Sequence, residues 1–232
     1  MNANQTLCYK VSDKMLCCFC KSANTVKNGT TKNKKQQYLC KQCGKRFIEH
    51  YTYRAYRPYI NKQIVTLTKE GLGIRSIARV LAVSATTILK RIIAIARTVA
   101  KPAISKRKTY EVDEINTFIK RKSKKIWIAY ALERASKTVV NFRIGARTNK
   151  TLNYVLKTLK HSNAKQIYTD GLKNYKYLID QKIHRVTRYD TNHIERNNLT
   201  LRTHLKRLNR KTICFSRSLV ILAAVLKIYF WG

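Results

Sequence analysis

Two short cysteine pairs constrain this chain more than any other feature. "CCFC" and "CKQC" place Cys17-x-x-Cys20 and Cys40-x-x-Cys43 with nineteen residues between the pairs. Each pair offers two sulfurs from one tight turn, and Zn(II) takes four in a tetrahedron, so this is the spacing of a four-thiolate site. One Zn2+ held by Cys17, Cys20, Cys40 and Cys43 has no open position, which makes it structural rather than catalytic. Cys18, inside the first knuckle, and Cys8, upstream, are alternate ligands that the spacing disfavours. Between the pairs, "TVKNGT" carries an Asn28-Gly29 turn signal, and "QQYLC" and "KRFIEH" read as short strands. A zinc ribbon over residues 1–50 is expected, because a unit of that size needs such a staple to fold.

Charge narrows the partners. Lys and Arg number 49 against 11 Asp and Glu, a formal net charge of +38, so a folded chain would repel itself unless a polyanion neutralised it. Nucleic acid is the first candidate, since Lys and Arg contacts to phosphate release condensed counterions. A ribosome-like RNA binder and a membrane-surface protein are the blander readings; no long basic amphipathic helix supports the second. With 44% hydrophobic residues and few Gly or Pro, the chain can bury a core and is not a disordered tail. No secretory signal opens it, and "SLVILAAVLKIYFWG" is short for a span and interrupted by Lys227, so a buried terminal helix is expected. The expected setting is a reducing cytoplasm, on nucleoid DNA, without a membrane.

Residues 51–100 carry helical periodicity. The first helix runs from about Pro58 to Glu70 and ends at Gly71. The second has Ile74, Ile77, Ala78 and Leu81 on one face, and "AVS" then turns into a third helix capped by Ser84, with Ile88, Ile92, Ile95 and Val99 inward. This is the helix-turn-helix pattern, whose outer face would offer Thr86, Thr87, Lys90 and Arg91 to a major groove. The competing reading is an ordinary three-helix bundle with a solvated basic face. "KPAISKRK", residues 101–108, suits an exposed linker.

In residues 109–232 the few acids can be sorted one by one. "KTYEVDEI", "KKIWIAYAL" and "TVVNFRIGA" read as three strands, "TNKTLNYVLKTLKHS" as a helix, "KQIYTDG" as a strand, and "NHIERNNLTLRTHLKRLNR" as a helix. Asp113 falls in the first strand, Asp170 at the end of the fourth, and Glu195 on the late helix, beside Arg202 and Lys206 on one flank. That order is the order of a ribonuclease H-like fold, in which the first and fourth strands are neighbours and a helix brings a third carboxylate over them. Three converging carboxylates repel unless cations lie between them, and Mg2+ (or Mn2+) suits carboxylate and phosphate oxygens. Two ions about 4 Å apart would activate a water or 3′-hydroxyl and stabilise the leaving oxygen of an in-line phosphoryl transfer. Asp180 and Asp190 read as ordinary surface acids. The expected fold class is therefore multidomain α+β: a zinc ribbon, a helix-turn-helix three-helix unit, then a ribonuclease H-like α/β catalytic domain with a mixed sheet.

The run "IERNNLTLRTHLKRLNRKTICFSRS", with "YTDG" and "VDE" before it, resembles the insertion sequence 1 (IS-1) family of DDE transposases. "YLCKQCGKRF" and the helix-turn-helix resemble the DNA-binding part of the same proteins, and the likeness extends from about Leu16 to Ser218. It implies a DNA cut-and-join enzyme acting on its own element's terminal inverted repeats, with the acidic triad on Asp113, Asp170 and Glu195. The implied partners are double-stranded DNA, both element ends and target, and further copies of the chain assembled on it. Where the family commonly has Pro after the first knuckle Cys, this chain has Cys18.

Two other readings compete. His193-x-x-Arg196 followed by Tyr229 imitates a tyrosine recombinase, although that chemistry uses a helical catalytic domain and this region opens with strands. A DNA-binding regulator without catalysis is the other, and the intact trio of acids argues against it. On the transposase reading His193 is a phosphate or supporting contact, and Arg196 and Arg202 are phosphate contacts.

Overall fold

The computed structural model describes residues 15–49, 51, 53–187 and 191–232; Cys8 and Asp190 lie outside them. The chain divides into two compact units, residues 1–56 and 57–232.

In the first unit, β1 (Thr25–Thr30), β2 (Gln36–Cys40) and β3 (Arg46–Ile48) form an antiparallel sheet in that order. The Asn28-Gly29 turn signal falls instead inside β1, where Gly29, at φ +68°, sits in a register shift between Lys27 and Thr30, and the β1–β2 turn is closed at Thr31–Lys35. The core is small: Cys17, Cys40 and Phe47 are buried, with Met15, Tyr38 and Cys43 packed around them, and Tyr38 stacks on Phe47 at 5.6 Å.

The second unit opens with α1 (Ile60–Lys69), α2 (Ile74–Leu81) and α3 (Ala85–Thr98). Ile77 and Leu81 of α2 and Ile88, Ile92 and Ala96 of α3 are buried, as the spacing anticipates, while Ile95 and Val99 are half-buried. Ser84 caps α3, its Oγ accepting the Thr87 N–H at 3.2 Å, and α2 ends on Ala82 in the left-handed region. A five-stranded mixed sheet follows: β4 (Thr109–Phe118), β5 (Lys125–Glu133), β6 (Val139–Gly145), β7 (Gln166–Thr169) and β8 (His184–Val186), in the order β6-β5-β4-β7-β8. β4 is antiparallel to β5 and parallel to β7, so the first and fourth strands are neighbours as expected.

The two faces of β4 go to different layers. Tyr110 and Val112 belong to the core formed with Leu152, Val155, Leu156 and Leu159 of α4 (Asn149–His161) and Tyr175 of α5 (Lys173–Leu178). Each of these apolar side chains contributes about 1.5–3 kcal/mol when withdrawn from water. Glu111 and Asp113, two residues apart, face α6 (Asn192–His204). The terminal helix α7 (Leu219–Trp231) is buried as expected. Phe230 stacks on Tyr130 at 6.1 Å, Trp231 donates Nε1–H to the Val139 carbonyl at 2.6 Å, and α7 also packs on α1 and α3. One helix thus serves the sheet and the three-helix unit together.

The long helix read from Asn192 to Arg210 is interrupted. α6 ends at His204 and a 3-10 turn spans Lys206–Leu208, so Lys206 is not on the same helical flank as Glu195. Leu201, Leu205 and Leu208 are all buried, and the break lets the last two turn inward after the helix ends. It also coincides with a close approach: Gly71, at φ +77° in the α1–α2 turn, lies against the His204 backbone, and an added Cβ would stand 2.2 Å from the His204 carbonyl oxygen. A backbone atom cannot move aside cheaply, and the left-handed conformation disfavours any Cβ. Gly71→Ala is expected to cost roughly 3 kcal/mol, read as a drop of about 6 °C or more in the melting of this unit. A melt within about 1 °C of the parent would contradict the docking of this turn on α6.

Candidate metal centre and acidic cleft

In the first unit four sulfurs converge. The Sγ atoms of Cys17, Cys20, Cys40 and Cys43 all lie within 4.8 Å of one another. Cys17–Cys43 is 3.7 Å and Cys20–Cys40 is 3.5 Å. These spacings are far above the roughly 2.05 Å of a disulfide. They match the edge of about 3.8 Å that a tetrahedron with Zn–S near 2.3 Å would have. Burial opposes ionisation of Cys17, yet N–H donation from the Cys20 and Phe19 backbone outweighs it and brings the thiol down to about 6. Cys40 is lowered first by the Cys43 backbone N–H. Cys18 is exposed and outside the cluster, as the spacing implied.

In the second unit Asp113 and Asp170 stand one residue beyond the last ladder pair of β4 and β7, Val112–Thr169. Burial pushes the Asp113 carboxyl up to about 6, and the charges of Glu114 and Asp170 add to that rise. Two hydrogen bonds oppose it: Asp113 Oδ1 accepts the Glu114 N–H at 2.6 Å, and Oδ2 accepts from Asn198 Nδ2 at 2.6 Å. Asn198 is held in turn by Tyr130, whose hydroxyl donates to its Oδ1 at 2.7 Å. Tyr130 is the cross-strand partner of Asp113 on β5, so strand, helix and acid form one closed network. Asp170 is exposed and accepts the Leu172 N–H at 3.2 Å.

Glu195 is exposed on the first turn of α6, where its Oε1 accepts from Thr191 Oγ1 at 3.0 Å. Among the described residues, the four cysteines are the only group of three or more His, Cys, Asp or Glu side chains close enough to share an ion. Asp113 and Asp170 are therefore brought together, while Glu195 is not drawn in beside them.

The start of α6 is pinned by Glu111, which the sequence reading passed over. Its side chain is inaccessible to solvent; Oε2 accepts the Ile194 N–H at 2.8 Å, and Oε1 accepts from His193 Nδ1 at 2.8 Å. Arg134 Nε lies 3.5 Å from the same oxygen, with its guanidinium over the Tyr168 ring. His193 is thus tethered and half-buried at a cleft also lined by Asn192, Glu195, Arg196 and Asn197. Arg202 lines a second, basic cleft with Asn209, Arg210 and Lys211, and Lys206 lines a continuation of it. Burial, then Arg210, pushes the Arg202 guanidinium below its usual range, while Asp113 pulls the other way. Its Nε is buried without a partner among the described residues.

On α3, Thr86 and Lys90 are exposed, Thr87 takes part in the Ser84 cap, and Arg91 donates to Asn61 Oδ1 of α1 at 2.9 Å. Arg91 therefore contributes to helix packing as well as to the outer face. Tyr229 is hydrogen-bonded to His204 Nδ1 at 2.7 Å, and burial, then the Glu70 charge, raises its hydroxyl pKa. Among the described residues no helix is long and apolar enough to cross a membrane.

Fold and site together define an α+β protein with a mixed sheet, a carboxylate pair on adjacent parallel strands, basic clefts beside them and a separate four-cysteine cluster. The chain belongs to the IS1 transposase family: residues 108–231 match the model of the IS1 transposase DDE region, and residues 51–93 match that of the InsA C-terminal domain. It is 39% identical over 111 residues to the insertion element iso-IS1n protein InsB of Shigella dysenteriae, covering 48% of this chain and 85% of that protein. It is 39% identical over 108 residues to the insertion element IS1 2 protein InsB of Escherichia coli (strain K12), covering 47% of this chain and 65% of the relative, just under two thirds of its length. Among solved structures, one similar chain comes from a simian T-cell lymphotropic virus intasome bound to the PP2A regulatory subunit B56 gamma: TM-score 0.38, 15% identity, covering 72% of this chain and 67% of that one. Another is the HTLV-2 integrase catalytic core domain in complex with magnesium, with TM-score 0.33 and 13% identity over 55% of this chain and 86% of that one. Similarity at that level assigns no role.

Proposed function

We propose that this chain is a DNA transposase that binds the terminal inverted repeats of its own element and carries out divalent-metal-dependent strand cleavage and strand transfer. The observation that carries the reading is the pair Asp113 and Asp170, each one residue past the Val112–Thr169 pair of adjacent parallel strands, with α6, which bears Glu195, packed on β4. Hard oxygen donors of this kind suit Mg2+ or Mn2+. Bound there, such ions would supply an activated water or 3′-hydroxyl and stabilise the departing oxygen. The chain's own residues do the rest. Asn198 and Tyr130 hold Asp113 in place, and Glu111 fixes the start of α6, so that His193 and Arg196 face one cleft and Arg202 the second as phosphate donors. Glu195 would complete the site by leaving Thr191, a rotamer change that exposed side chains make in picoseconds to nanoseconds.

The four-cysteine cluster would hold one structural Zn2+ as a zinc ribbon, and α2–turn–α3 would enter a major groove as a helix-turn-helix through Thr86, Thr87, Lys90 and Arg91. Assembly of several copies on DNA belongs to the same reading. The direct test is purified protein on a labelled element end with Mg2+ or Mn2+, scored for nicking and for joining to a target duplex. With a net charge of +38, end affinity should fall steeply with salt, by about 0.9 log unit per log unit of salt for each phosphate neutralised. A flat response between 50 and 200 mM salt, about the range over which such proteins lose affinity, would count against extensive phosphate contact.

A further inference from the structure

Glu114 follows Asp113 in β4 and points to the opposite face of the sheet. Its side chain is 1% exposed, and both carboxylate oxygens are used. Oε2 accepts from Arg147 Nε at 3.1 Å and Nη2 at 2.9 Å, and Oε1 accepts from the Tyr175 hydroxyl. Arg147 stands two residues before the start of α4 and lies over the Trp127 ring of β5 at 4.4 Å. Tyr175 is inaccessible to solvent and sits on α5, which begins three residues after Asp170. The intervening turn is short: Asp170 Oδ1 accepts the Leu172 N–H, and the Leu172 carbonyl accepts the Tyr175 N–H at 3.1 Å.

The neighbouring acids therefore have separate tasks. Asp113 faces α6. Glu114, behind the sheet, grips α5, the helix that begins three residues after Asp170. We propose that Glu114 and Tyr175 are positioning residues that set the separation of Asp113 and Asp170, and hence the affinity of the carboxylate pair for a divalent cation. The inference rests on the functional reading above and adds to it the control of metal affinity from the far side of the sheet. A plain core role would require only that Tyr175 fill space. The hydroxyl, buried and directed at a carboxylate one residue from Asp113, gives a further link between the two acid-bearing segments, beyond the β4–β7 ladder itself. Groups that orient metal ligands in this indirect way commonly change metal affinity about 10- to 100-fold when removed.

The test uses the full chain and compares the parent with Tyr175→Phe, Glu114→Gln and Asp170→Asn. Mn2+ binding is followed by electron paramagnetic resonance of the free ion, independently of activity, and each variant is melted and assayed for end binding by gel shift. Tyr175→Phe keeps the ring and its packing, so it should melt cooperatively and bind ends like the parent while its Mn2+ dissociation constant rises about tenfold or more. Glu114→Gln, which retains acceptor and donor atoms, should weaken Mn2+ in the same direction and covers the case in which Tyr175→Phe does not fold. If either folded variant binds Mn2+ within about twofold of the parent, the positioning role is wrong. Should Asp170→Asn also leave Mn2+ binding unchanged, the carboxylate site itself falls, and the positioning proposal with it.

Discussion

Asp170→Asn is expected to eliminate cleavage and joining of element ends, by at least about 10³-fold or roughly 4 kcal/mol of transition-state stabilisation, and to leave end binding within about twofold. The substitution removes one of the two negative charges; the Asp113 pKa is raised mainly by burial, with the Asp170 charge a smaller addition. Asparagine keeps the volume but cannot neutralise a divalent ion. On the proposed reading, end recognition would rest on other residues: the basic face of α3 and the clefts lined by Arg196, Arg202 and Lys206. Phosphate contacts of that kind set affinity without taking part in chemistry. The informative contrast is Tyr229→Phe, which should retain both activities and yield no covalent protein–DNA adduct in either form. Loss of cleavage in Tyr229→Phe alone, with a trapped adduct in the parent, would instead support the recombinase reading.

Removal of the proposed zinc is the second large effect expected. A chelator, or Cys40→Ser, should unfold the first unit and reduce end binding, while the second unit melts as before. The first unit's core is three buried residues and their neighbours, too little to hold three short strands in water without a cross-link. Structural zinc in small domains contributes about 10–16 kcal/mol of apparent binding free energy, which in such units is folding free energy. The second unit has its own cores, and its one cysteine, Cys214, is exposed. One zinc released per chain, with loss of the ribbon's strand signals alone, is the expected result. A first unit that keeps its fold after complete zinc removal would reduce the cluster to four free thiols.

Much of the site could be read in advance because its parts are local. A Cys-x-x-Cys knuckle is one turn, and both knuckles could be recognised without knowing how the strands pair. Alternation in "TYEVDEI" already placed Glu111 and Asp113 on one face and Glu114 on the other, yet it did not say which face a helix would cover. Glu111 was passed over for that reason: it resembles a spare surface acid until the Ile194 N–H and His193 are found against it, more than eighty residues away in sequence. Asn198 stood in the quoted "ERNNL" run and carried a weaker signal, an amide one helical turn from Glu195. Tyr130 had none, since a tyrosine in a buried strand reads as core.

Composition, spacing and period by themselves determined the two cysteine knuckles, the three helices of the middle region, the order of the first four strands and the helix between them in the last region, and the demand for a polyanionic partner; β1, α5 and β8 were not read. Each follows from interactions within a few residues or from total charge. Tertiary structure alone decided that α6 stops at His204 against the Gly71 turn, that α7 joins the sheet to the three-helix unit, and that Asn198, Tyr130 and Tyr175 anchor the acids. Those outcomes depend on side chains far apart in the chain competing for the same buried space and the same hydrogen-bond partners, and no local pattern encodes the result of that competition.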